Sequence, residues 1–416
     1  MDDSHDPLQI VKQLRQTLAA DKLSVGFFVG AGCPCAIRVA DSVGKDSPII
    51  PDVAGLTKLV REWLESSVQH KAPFATLIKA IQDDGQQEPN IEDVLNRIRG
   101  LRDVAGRGDV RGLSFEELDE LDREISKVIS ETVDRSLPDG ATPYHALARF
   151  LGSHRFPPSE VFTTNYDLLM EQGLEAHRVP YFDGFVGSAR PFFDQRAIEE
   201  DALPIRWSRL WKLHGSLNWR FNKATRSVVR SRNSADGDEL LIHPSHRKYD
   251  ESRRMPYFVI IDRLRAFLRN ERQPVALIVI GYSFSDEHLN SAIVESLKAN
   301  PSAACFALQY DELAKYPNAK TLAADNSNLS VLARDAAVMR RREGNWLARP
   351  GAAVDSLTEA FEVIKTPALP GTTPAAADDD QPDTPRPCRL RIGDFQQLGA
   401  FLDDLSGLGG RGETLS

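Results

Sequence analysis

Four short apolar runs, each ending in a glycine or polar turn, constrain this chain more than any other feature. VGFFV leads into Gly30-Ala31-Gly32, and Val161-Phe162 into Thr163-Thr164-Asn165-Tyr166-Asp167. WKL leads into His214-Gly215, and ALIVI into the string from Gly281 to Asp286. Short β-branched and aromatic runs without polar alternation read as strands buried on both faces, which is how parallel sheets are built. Polar residues just past such strands gather at their carboxyl ends, where open α/β sheets bind ligands. The expected fold is α/β, a Rossmann-like parallel sheet, with a nucleotide site at the strand ends.

Helical periodicity fills the space between these runs. Leu8, Val11, Leu14 and Leu18 fall on one helical face ahead of the first strand. Residues 56–135 carry apolar residues at three-to-four spacing and read as a helical subdomain inserted between the first two strands, over one side of the crevice. Further strands are expected near Val161, Trp211, Leu240 and Ala276 and at Ala304 to Tyr310. Asp286 precedes EHLNSAIVESLKAN and is placed to cap that helix. An α/β unit, residues 1–365, would then be followed by a linker. Residues 366–387 are rich in Pro, Ala and Asp without an apolar period, which predicts a disordered linker. Residues 388–416 carry an amphipathic helix, Gly393 to Leu405, with a stripe of Phe395, Leu398, Phe401, Leu402 and Leu405. So short a helix cannot stand alone. The long tether favours docking on a partner or a neighbouring subunit over docking on its own catalytic domain.

Composition narrows the partners. Lys plus Arg 51 against Asp plus Glu 60 leaves a net charge of −9, which argues against direct nucleic-acid binding. The acidic N-terminus has no apolar signal core, and no later run is long enough for a membrane, so a cytoplasmic protein is expected. Cys33, Cys35, Cys305 and Cys388 do not have the spacing of a structural zinc site or a disulfide framework; they read as packing residues, with no zinc or other metal.

Each candidate residue has a plain reading beside its chemical one. Gly30, Ala31 and Gly32 allow close approach of a pyrophosphate, or simply make a tight turn. The amide of Asn165 can hold a water or a hydroxyl, or can shape the turn into the next helix. Asp167 can hold that loop through backbone hydrogen bonds. His214 can accept a proton from a ribose hydroxyl, although a lone His is more often structural.

Taken in order, GAG, Ile50-Pro51-Asp52, TTNYD, HG and GYSFSD resemble the sirtuin family, in particular its zinc-less bacterial branch. There the matching strings are a GAG with Ser two residues on, an IPDFR, a TQNID, an HG and a later G-S string. The resemblance spans roughly residues 10 to 365. It implies NAD as substrate, with Asn165 and His214 catalytic and Asp52 near the nicotinamide end. It also implies phosphate contacts from the turn Gly30, Ala31, Gly32 and Cys33. Thr164 and Asp167 would flank the cofactor, and Gly281, Ser283 and Asp286 would line the adenosine side. Two positions depart: Pro34 stands where the family has Ser, and IPDVAG lacks the Arg of IPDFR. A polar insert, ADSVGKDSP, separates GAG from IPD and would serve as a lid. The four-Cys zinc ribbon of protein deacylases is missing, and with it one wall of the peptide site. The resemblance therefore implies an NAD+ hydrolase (NADase) of bacterial anti-phage defence, giving nicotinamide and ADP-ribose. The alternatives are an NAD-dependent protein deacylase and a non-catalytic NAD or ADP-ribose sensor. It implies a homo-oligomer, and partners of the kind seen in that branch, such as a HerA-type ring ATPase.

Overall fold

The computed structural model describes residues 4–20, 22–40, 44, 46–106, 108–153, 157–222, 224–231, 239–242, 251–349, 359–364 and 385–407. Twelve strands of these residues form one sheet: β1 (Ser4–His5), β2 (Ser24–Val29), β3 (Glu160–Thr163), β4 (Tyr181–Phe182), β5 (Ser208–Lys212), β6 (Val275–Ile280), β7 (Ala304–Leu308), β8 (Leu329–Leu332), β9 (Ala336–Met339), β10 (Arg342–Ala348), β11 (Phe361–Val363) and β12 (Arg386–Leu390). Their order is β11-β12-β10-β9-β8-β7-β6-β2-β3-β5-β4, with β1 beside β10. All neighbours from β8 through β4 are parallel. Beyond β8 the sheet turns antiparallel through β9, β10, β12 and β11. The α/β, Rossmann-like expectation is met.

Every residue of β2 and of β6 is buried. Because side chains alternate across a strand, the two faces feed two cores. Val25, Phe27 and Val29 join Ile278 and Ile280 on one face. Phe28 joins Val275, Leu277 and Val279 on the other. The first core is covered by α1 (Pro7–Ala19), by the helices between β2 and β3, α6 (Pro143–Gly152) among them, and by α7 (Leu169–Ala176). The second is covered by α8 (Glu251–Leu268), α9 (Glu287–Ala299) and α10 (Pro317–Asp325). An antiparallel sheet built around Gly215–Asn222 adds Trp219 and Phe221 to that second core. The strand expected near Leu240 belongs to this side sheet: Glu239–Ile242 pairs antiparallel with Gly215–Asn222. Its sequence shows a strand but not which sheet will recruit it.

Between β2 and β3 lie α2 (Val53–Ser66), α3 (Lys71–Asp83), α4 (Ile91–Ala105) and α5 (Phe115–Val133). Reciprocal capping boxes start two of them, Asn90 with Asp93 and Ser114 with Glu117. Leu95, Ile98, Leu121 and Ile125 interlock at their centre, and Arg99 forks onto Asp122 at 3.0–3.2 Å between α4 and α5. The polar insert before Ile50 forms a small antiparallel ribbon, Arg38–Ala40 against Asp46–Pro48. Residues 41–43 and 45 at its tip lie outside the described residues.

The C-terminal segment departs from expectation. The proposed linker falls largely outside the described residues, but its last two residues, Arg386 and Pro387, already belong to β12, which sits between β10 and β11. The helix α11 (Phe395–Leu405) then lies on the chain's own α6, not on a partner. Phe395, Leu398, Phe401 and Leu402 are buried, and Phe395 meets Tyr144 edge to face at 5.1 Å. A side chain at Gly399 would come within 3.0 Å of the Pro143 backbone, so the helices touch closely there. Arg149 grips Asp403 through two bonds of 2.9 and 2.6 Å. Burial of four large apolar side chains, each worth roughly 1.5–3 kcal/mol, offsets the ordering of the segment. An apolar stripe shows that a helix needs a partner, but not whose surface supplies it. No helix among the described residues is long and apolar enough to cross a membrane.

Candidate nucleotide site

The chain leaves β2 toward one face of the sheet and β6, its neighbour, toward the other, because β2 is followed by α2 to α5 and β6 by α9. Strand-end loops that part in this way open a crevice, the usual ligand position in open α/β sheets. Here it lies between Gly30–Cys33 and Gly281–Asp286.

Those two turns are pressed together backbone to backbone. A Cβ on Gly30 would stand 2.3 Å from the Gly281 carbonyl oxygen, and one on Gly32 would stand 3.0 Å from the Gly281 Cα. Gly281 itself has φ +68°, open to glycine at no steric cost. The Gly30 amide donates to the Ile280 carbonyl and the Gly32 amide to the Gly281 carbonyl, both at 2.9 Å; the Cys33 amide donates to the Gly30 carbonyl at 3.0 Å. Pro34 has no N–H to offer. The glycines of the turn are thus required by packing of the two loops, and three of its amides are already engaged.

Cys33 is buried with its Sγ 3.4 Å from the Ile280 carbonyl. Burial pushes its thiol well up, and pushes that of Cys35, which also feels Asp52, to about 11. Thiols raised in this way are poor nucleophiles near neutral pH. Among the described residues no group of His, Cys, Asp and Glu is arranged to hold a metal ion.

Asn165 sits just past β3. Thr163 donates its hydroxyl to the Val29 carbonyl at 2.7 Å and accepts the Asn165 amide at 3.0 Å, while Asn165 Nδ2 donates to the Gly30 carbonyl at 3.2 Å. The Asn165 side chain is therefore oriented by both neighbouring strand ends. Beside it lies the buried Tyr144 hydroxyl, which burial and the charge of Asp167 hold well above its usual pKa. Asp167 accepts the Leu169 amide at 2.9 Å and so fixes the loop, as expected. Beneath the loop the buried Lys212 ammonium pairs with Glu171 at 2.9 Å and donates to the Asp167 carbonyl. Burial raises the Asp167 and Glu171 carboxyls, against the opposing charge of Lys212.

His214 ends the short connection from β5 into the side sheet and is 6% exposed. Its Nε2 lies 3.1 Å from Asp286 Oδ2. The other Asp286 oxygen caps α9, accepting the His288 and Leu289 amides at 2.9 and 3.1 Å. Burial alone would raise this carboxyl; the hydrogen bond and charge of His214, aided by the two amides, outweigh it and hold Asp286 well below the usual range. The cap was expected. The pairing with His214 was not.

Asn165, Thr164, Asp167, His214 and Asp286 line one lobe of the crevice, about 830 Å³ of empty space including its mouth. Ala31, Gly281 and Ser283 form the ridge shared with a second lobe. Asp52 lies in the second lobe, where it caps α2 by accepting the Gly55 amide at 2.8 Å. That separates it from the first lobe, which its neighbours Pro51 and Val53 do reach. The second lobe is completed by Gln309 and Tyr310 after β7 and by Gly393 and Asp394 before α11.

Sequence reasoning passed over the residues that the helical insert contributes. Ile91, Leu95, Ile129 and Val133 give the first lobe an apolar wall, and Glu92 gives it a carboxylate. The string GYSFSD also hides a strained residue: Phe284 is fully buried at φ +59°. Its carbonyl accepts from Asn290 at 2.9 Å and Asn318 at 3.1 Å, bonds that hold this backbone against its cost.

Fold and site together define a Rossmann-like protein with a polar constellation at the switch point of its sheet. Residues 159–331, less than half the chain but including Asn165, His214 and Asp286, match the family model of the SIR2-like domain. A solved structure of a Sir2 homologue, an S24A mutant in complex with ADP-ribose, is similar at 14% identity and a TM-score of 0.33, covering 72% of this chain and 84% of that one. No curated protein matches the chain.

Proposed function

We propose that this protein is an NAD+ glycohydrolase, cleaving the nicotinamide–ribose bond to give nicotinamide and ADP-ribose. The observation that carries the reading is the convergence of Asn165 and the His214–Asp286 pair on one lobe, inside the stretch that matches the SIR2-like domain. In this reading Asn165, oriented by Gly30, positions the attacking water. His214 takes a proton from a ribose hydroxyl, and the ionised Asp286 stabilises the imidazolium that results. The apolar wall from α4 and α5 accepts the nicotinamide, and Ser283 and the second lobe take the adenosine side, with Gln309 and Tyr310 at its edge. Water is favoured over an acyl-lysine as acceptor because the chain lacks the four-Cys module against which a peptide would lie. The physiological reading, carried by the motif resemblance, is NAD+ depletion in anti-phage defence. It includes homo-oligomerisation and restraint by a partner such as a HerA-type ring ATPase.

The decisive assay follows free nicotinamide from NAD+, with and without an acylated peptide. Release without peptide is expected. Release only with peptide would establish a deacylase, and binding without release a sensor. Asn165→Ala and His214→Ala should each lower turnover by about 10²-fold or more, in line with the loss of a positioned acid–base group, while circular dichroism shows the fold retained. Full turnover in either variant would remove that residue from the mechanism.

A further inference from the structure

Glu92 is the one charged side chain that the helical insert brings into the catalytic lobe, among the described residues. It lies in the first turn of α4, behind the Asn90 cap, with apolar Ile91 and Leu95 on either side of it in the wall. Its Oε1 accepts the Tyr166 hydroxyl at 3.1 Å, and Tyr166 is the residue after Asn165, so the bond points the carboxylate at the loop that carries Asn165. Glu92 also lies within electrostatic reach of Tyr282 on the opposing loop: after burial and Asp286, its charge is among the causes that hold that phenol above its usual pKa. Glu92 thus lines the crevice on the side of the loop that carries Asn165.

We propose that Glu92 faces the reacting ribose and stabilises the positive charge that develops at C1′. This rests on the glycohydrolase reading and deepens it. In the reaction the C1′–N bond breaks and its electron pair leaves on the nicotinamide nitrogen, neutralising the pyridinium. The cation passes to C1′ and the ring oxygen. Water then bonds to C1′ and releases one proton, so NAD+ plus water yields nicotinamide, ADP-ribose and a proton. A fixed anion beside C1′ lowers the energy of the cationic state more than that of bound NAD+, whose charge lies on the pyridinium ring, and so acts on kcat. It also protects a cation long-lived enough for water to capture it.

The test compares Glu92→Gln with wild type on NAD+ cleavage, on the KM for NAD+ and on ADP-ribose binding by calorimetry. Glutamine keeps the shape and the hydrogen bond from Tyr166 but removes the charge. The expected result is a fall in kcat of about 10²-fold or more, as for loss of one preorganised electrostatic group. KM should change less than about threefold, and ADP-ribose, which carries no cation at C1′, should bind as before; Glu92→Asp should recover part of kcat. Tyr166→Phe, which keeps the charge and loses the bond, should cost less than Glu92→Gln. If Glu92→Gln keeps full kcat, or if Tyr166→Phe reproduces its loss, the carboxylate only holds Tyr166 and the proposal fails. Should wild type itself release no nicotinamide, it is the glycohydrolase reading that fails, a result distinguishable from either.

Discussion

The two walls of the first lobe are built on opposite principles. The strand-end wall is backbone: Gly30 and Gly32 against Gly281, amides engaged, Asn165 and His214 tied to strand ends. The insert wall is side chain: Ile91, Leu95, Ile129 and Val133 from α4 and α5, with Glu92 among them. Backbone contacts at van der Waals limit leave no room for substitution, whereas an apolar helix surface tolerates volume changes at a graded cost. The first wall thus holds chemistry to fixed geometry, and the second shapes what fits beside it.

The sharpest way to break this contrast is Gly30→Ala. Its Cβ would lie 2.3 Å from a carbonyl oxygen that cannot move without displacing β6. A loss of about 3 kcal/mol or more is expected in urea denaturation, at or beyond the upper end for overpacking. A variant as stable as wild type would show the two loops to be separable.

Leu95→Ala tests the other wall. Leu95 is 1% exposed and packs in the first core, so truncation should cost about 2–4 kcal/mol. The insert should stay helical by circular dichroism, since its caps are untouched. Collapse of the whole domain on this one change would erase the difference between the walls.

Asp286→Asn makes the smallest change, at the seam between cap and His214. Asparagine caps helices as well as aspartate, so only the charge toward His214 is lost, worth about 1–2 kcal/mol for a charge-assisted bond. The folded Asp286 carboxyl is depressed below its unfolded value near 3.9. Its contribution is therefore present above about pH 4 and lost as pH falls through the lower folded value. Wild type and variant should differ in urea midpoint at pH 7 and converge in strong acid; a gap that stays constant with pH would mean that the charge is not what the variant lost.

Much of the strand-end wall was legible because its signals are local. A buried strand ending in glycine or asparagine names its own turn, and the Asp286 cap was readable from the helix that follows it. The insert wall was legible only as helices. Nothing near Asn90-Ile91-Glu92 distinguishes a carboxylate facing a crevice from one that merely complements the helix dipole, because the distinction depends on which face α4 turns toward β3. The C-terminal stripe failed for the same reason.

By itself the sequence determined the element types, the parallel core and the residues able to do acid–base chemistry, since strand burial, helix period and capping act over a few neighbouring residues. Only the tertiary structure decided that Asp286 pairs with His214, 72 residues away, that α11 covers α6, and that Glu92 enters the lobe. Those outcomes turn on packing between distant segments, where an apolar face or a carboxylate fits several surfaces and shape complementarity selects one.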